Sequence, residues 1–95
     1  MFMGIPFGKV LEDNPFGVSQ PYPKFEDIFD ANDDSAASPQ KEEFNGTIIG
    51  TLDSLHLNIY VPKSKKLLAV MVWIFGGRYE IGFPSRFLYG PKYFM

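Results

Sequence analysis

The stretch Leu67-Leu68-Ala69-Val70-Met71-Val72-Trp73-Ile74-Phe75 constrains this chain most, because nine residues pass without a polar interruption. A strand of that kind has no wet face, so it fits only the interior of a sheet covered on both sides. It is too short to cross a bilayer as a helix, which takes about twenty residues. Gly76-Gly77 stops it abruptly. Upstream, Leu55-His56-Leu57-Asn58-Ile59-Tyr60-Val61 alternates apolar with polar or amphipathic residues, the period of a half-buried strand, and Pro62 ends it. Between the two lies a basic turn with Lys63, Lys65 and Lys66. It reads as a solvated turn, and a net charge of −2 offers no footprint for nucleic acid.

The remainder is punctuated by turn signals. Residues 1–24 are dense in Pro, Gly and aromatic residues and predict an extended, packed loop. Phe25, Ile28 and Phe29 are spaced as one face of a short helical turn ending near Asp33-Asp34-Ser35. Asn45-Gly46 beside Thr47-Ile48-Ile49 predicts a hairpin arm or short strand. Residues beyond Gly77, with Gly82, Pro84, Gly90 and Pro91, predict an irregular loop. A hydrophobic share of 45% excludes disorder throughout, but 95 residues leave little reserve of buried surface. The start, Met1-Phe2-Met3-Gly4-Ile5-Pro6, lacks the basic n-region of a secretory signal.

Few residues offer chemistry. Asp30-x-Asn32-x-Asp34 begins like a calcium loop, yet Ser35 stands where the sharp turn needs Gly and Lys41 where a bidentate carboxylate belongs. An acidic solvated loop is the better reading. His56 is the only histidine and has no carboxylate beside it in sequence, which favours a structural role over a general base. Without cysteine there is no disulfide and no thiolate metal site. No G-x-S-x-G surrounds any serine, so no activated nucleophile is present. Asn45-Gly46-Thr47 is an N-glycosylation acceptor pattern in a segment whose composition suggests exposure. Gly76-Gly77 leaves two readings open: a tight turn ending a strand, or a loop whose amides approach a ligand closely, as an oxyanion hole requires.

Four segments in order carry a resemblance: Phe2-Met3-Gly4-Ile5-Pro6-Phe7; Asp53-Ser54-Leu55-His56-Leu57-Asn58-Ile59-Tyr60-Val61-Pro62; Val70-Met71-Val72-Trp73-Ile74-Phe75-Gly76-Gly77; and Tyr89-Gly90-Pro91-Lys92-Tyr93. Together they resemble the cholinesterase-like (type B) carboxylesterases, and among these the insect, antennal-esterase-like branch. The resemblance implies an α/β-hydrolase fold, of which residues 1–95 are a partial amino-terminal piece, truncated at both ends and incomplete on its own. It contains the first strands of the central sheet with their loops. The strand that should bridge 55–61 and 67–75 would come later in the chain, which would leave unpaired backbone and an apolar surface here.

The implied activity is that of a serine ester hydrolase acting through an acyl-enzyme on a small-molecule ester, with no cofactor, metal or membrane segment. Its nucleophile, acid and histidine would all lie downstream, so the chain alone would be inactive. The glycine run resembles the family's oxyanion loop, which places the donating amides at Gly77 and Arg78 with Gly76 shaping the loop. Arg78 departs from the family's usual glycine, and Phe75 from its commoner histidine. Ser38 and Ser54 stand where the family has a cysteine pair. Phe75 is the milder change, whereas Arg78 and the lost cysteines point to the alternative, a non-catalytic binding or adhesion relative, or a degenerate gene copy. The family is expected to be secreted; the chain itself specifies no compartment.

Overall fold

The computed structural model describes residues 1–33, 37–42, 44–83 and 90–92. It is strand-rich, with no helix among the described residues. Three antiparallel pairs make up the ladders. β1 (Phe2–Pro6) pairs with β6 (His56–Ile59), β2 (Gly8–Lys9) with β3 (Gln20–Pro21), and β4 (Gln40–Lys41) with β5 (Ile48–Ile49). The β1–β6 register sets Phe2 opposite Ile59 and Pro6 opposite His56, with an irregularity between Phe2 and Ile5. Gly4 lies there at φ 67, and its amide donates to Asn58 Oδ1 at 2.9 Å. The Asn58 side chain thus supplies an acceptor where the ladder is interrupted.

Packing around this ladder is sparse. Met3 is the one buried hydrophobic side chain among the described residues, and its amide donates to Ala31 O at 2.8 Å. The radius of gyration, 15.1 Å, exceeds the about 12 Å of a compact domain of this length. Residues 1–24 are therefore more than a packed loop. They contribute β1, β2 and β3, and Phe7 accepts from the Tyr22 amide at 3.4 Å while donating to Leu55 O at 3.0 Å. Much of this region remains exposed, from Phe16 to Val18 and beyond.

Three further expectations require correction. The strand over 55–61 exists, but only as His56–Ile59, and the alternation does not translate into burial: Leu55 through Asn58 are all half-buried while Ile59 and Val61 are exposed. A two-stranded ladder has no second layer to define an inside. Residues 67–75 form no strand, and Leu67, Val70, Val72 and Ile74 are at least 79% exposed. An apolar pattern on both faces reports a sheet with neighbours on both sides, and among the described residues no strand flanks this segment. Residues 25–29 form no helix; Phe25 and Phe29 stack at 4.6 Å, Tyr22 tilts against Phe25 at 5.6 Å, and Ile28 is fully exposed. Aromatic contact replaces the helical turn, for which five residues hold too few hydrogen bonds to repay nucleation.

The Asn-Gly hairpin is present as expected. Glu42 N donates to Thr47 O at 2.7 Å and Gly46 N to Glu42 O at 3.0 Å, while the Glu42 carboxylate accepts from the amides of Phe44 and Asn45 at 3.1 and 2.9 Å. The acid thus caps the turn that its own backbone closes. No helix of the described residues is long and apolar enough to cross a membrane.

Candidate functional site

The glycine run leads into a tight loop. Gly77 O accepts from the amides of Glu80 at 3.0 Å and Ile81 at 3.1 Å, folding residues 77–81 into a turn. Closure is so tight that a Cβ on Gly77 would lie 1.6 Å from Ile81 O, so no other residue fits without moving the backbone. Arg78 and Tyr79 follow at φ 56 and 65, both in the left-handed region. The hydrogen bonds of the turn use the Glu80 and Ile81 amides, leaving those of Gly77 and Arg78 outside it.

One side chain moors this loop. Gln40 Nε2 donates to Gly82 O at 3.0 Å and Gly82 N donates to Gln40 Oε1 at 2.8 Å. The carboxamide acts as a strand residue would, pairing donor with acceptor across 42 positions of sequence. Gln40 belongs to β4, so the β4–β5 hairpin carries the loop beside it. Between the two lies a shallow, open hollow of about 440 Å³ bordered by Lys41, Glu42, Gly46, Gly77, Arg78, Glu80 and Ile81. Two cationic and two anionic side chains rim it, while Gly77 is half-buried and Arg78 exposed.

Of the other candidates, Ser38 and Ser54 come together: their hydroxyl oxygens are 2.8 Å apart, on the surface. Gln40 also donates to Ser38 O at 3.1 Å, so one side chain ties the serine pair to the glycine loop. Asn45 sits exposed at the hairpin turn, bordering the hollow only through its neighbour Gly46. His56 lies on β6; its Nδ1 is buried with no hydrogen-bond partner among the described residues. Its backbone amide donates to Ser54 O at 2.9 Å. Asn32 donates to Asp30 within the acidic loop, whereas Asp34 and Ser35 lie outside the described residues. Among those described, no cluster of three His, Cys, Asp or Glu residues is arranged to hold a metal ion. Pro84 and the flanking Tyr89 and Tyr93 of the last motif are also outside them.

Gln40 was invisible to sequence reasoning because its partner is far along the chain and is a backbone amide, which leaves no residue signature. Arg78 gains a physical meaning here. A branched-free but β-carbon-bearing residue in the left-handed region costs roughly 1–2 kcal/mol, of which glycine would return part as unfolded-chain entropy. Arg78→Gly is therefore expected to raise stability by about 0.5–1 kcal/mol, measured as a higher denaturation midpoint at unchanged slope.

Comparison with known proteins places the chain. The carboxylesterase family model matches residues 1–95. A juvenile hormone esterase of Tribolium castaneum is 36% identical over 99% of this chain, and an acetylcholinesterase of Electrophorus electricus 33% identical over 97%. A bile salt-activated lipase of Homo sapiens is 36% identical over 86%. The chain spans 17% of the length of the first two and 11% of the third. No solved structure matches it. With the family model matching from the first residue to the last and esterases of insect, fish and human origin aligning along it, the chain belongs to the carboxylesterase family, a family of ester hydrolases.

Proposed function

We propose that this chain is the oxyanion-loop segment of a carboxylic ester hydrolase of the insect branch, part of an α/β-hydrolase domain that extends beyond it on both sides. The observation that carries the reading is the turn at Gly77, whose hydrogen bonds run through Glu80 and Ile81 and leave the Gly77 and Arg78 amides outside it. In the complete enzyme a serine from another segment attacks the ester carbonyl, and the oxygen becomes an anion. The two amides donate to it, each contributing about 3 kcal/mol of transition-state stabilisation. The alcohol leaves, and water then releases the acid from the acyl-enzyme. Only backbone donates, so the Arg78 side chain is compatible with the role provided that it stays out of the hole; its exposure supports this. Gly76 supplies the bend, and the substrate is a small-molecule ester.

Neither His56, set in a strand, nor any serine of this chain supplies the triad. The chain alone is inactive on this reading. Sequencing the transcript onward from Met95 and assaying the complete protein on a p-nitrophenyl ester tests it. A G-x-S-x-G elbow, ester turnover and stoichiometric labelling by an organophosphate are the expected results, with no turnover by residues 1–95 alone. A substituted serine and a protein that hydrolyses no ester would overturn the reading in favour of the non-catalytic relative.

A further inference from the structure

Asn45 stands apart from the oxyanion reading and has a chemistry of its own. It is exposed at the turn of the β4–β5 hairpin, and its Oδ1 accepts from the Thr47 hydroxyl at 2.7 Å and from the Thr47 amide at 3.1 Å. The acceptor pattern requires a hydroxyl two residues after the asparagine, and here that hydroxyl already engages the asparagine carboxamide. Gly46 between them, at φ 71, puts no side chain in the way and lets the turn close. Each arm of the hairpin is two residues long, so little pairing has to be broken for a transferase to draw the segment into an extended form. The chain contains no second Asn-x-Ser/Thr pattern.

We propose that Asn45 is an N-glycosylation site, modified when the chain is translocated. The co-reactant is a lipid-diphosphate-linked oligosaccharide. Asn45 Nδ2 attacks the anomeric carbon, an N-glycosidic bond forms, and the C–O bond to the diphosphate breaks. The lipid diphosphate leaves with that electron pair, and the Nδ2 proton passes to a carboxylate of the transferase. The consequence for this surface is physical. Phe44, next to Asn45 in sequence, is 95% exposed, and Ile48 on the following arm of the hairpin is 81% exposed, so a saccharide at Asn45 adds a hydrophilic cover to a hairpin whose apolar side chains the fold leaves in water.

The test expresses residues 1–95 behind a cleavable secretory leader in insect cells and recovers the total cellular and secreted pools. Leader removal, read by mass, shows that the chain entered the lumen whether or not it folds. The expected result is a mobility shift abolished by peptide N-glycosidase, which in H₂¹⁸O leaves labelled Asp at position 45. The shift is lost in Asn45→Gln and in Thr47→Ala and kept in Thr47→Ser. Leader-cleaved chain with unmodified Asn45, or a shift that survives Asn45→Gln, overturns the proposal.

Discussion

Replacing Ser38 and Ser54 together by cysteine yields a disulfide on mild oxidation and stabilises the chain by about 3 kcal/mol, the chain-entropy value for a loop of about this size. The two hydroxyl oxygens are already 2.8 Å apart on the surface and 16 positions apart in sequence, so the side chains meet without backbone rearrangement and the oxidant has access. Relative to a fold with so small a core, the gain is large. Denaturation midpoints with and without reductant measure it. Persistent free thiols after oxidation, or a bridge that leaves the midpoint unchanged, would mean that the serines are neighbours only loosely.

Gly77→Ala has the opposite sign and acts on the loop. Its methyl group would be placed 1.6 Å from Ile81 O and 2.7 Å from the Ile81 carbonyl carbon. Backbone cannot yield as a flexible side chain would, so the turn from 77 to 81 must open. Opening releases both hydrogen bonds to Gly77 O and displaces Gly82 from the Gln40 carboxamide. The expected loss is about 2–4 kcal/mol from strain together with broken bonds. Hydrogen exchange at the Glu80, Ile81 and Gly82 amides is the direct readout, with protection lost at all three. Unchanged protection would show that the loop accommodates a β-carbon. On the proposed oxyanion role, the same substitution in the complete protein should lower kcat by about 10²–10³, the range for losing one such donor.

How much of this was legible in the sequence depends on how far apart the interacting residues lie. The Asn45-Gly46 hairpin was readable because its turn chemistry is local. Part of 55–61 was readable from its period of two, although the absence of a covering layer removed the meaning of that period for burial. The pattern over 67–75 is that expected of an interior strand, and the segment forms none: a pattern states which surroundings a segment needs and cannot supply them. β1 escaped notice because Gly4 and Pro6 break any local signal and its partner is remote. At the candidate site, Gly76-Gly77 announced itself by composition. The meeting of Ser38 with Ser54 followed from the family resemblance alone, and the Gln40 mooring from neither.

The β1–β6 ladder also fixes an order in time. Gly4 and Asn58 are 54 positions apart, so on a ribosome adding about 5–20 residues per second β1 waits roughly 3–10 s after its synthesis for its partner to be made. A hairpin such as β4–β5 closes in about 1–10 μs, long before that. The two local hairpins, β2–β3 and β4–β5, can therefore close before β1 finds its partner, and β1 is paired only after segments that follow it. During that interval Met3, the one buried hydrophobic residue described in the finished fold, is open to any chaperone that meets the emerging chain.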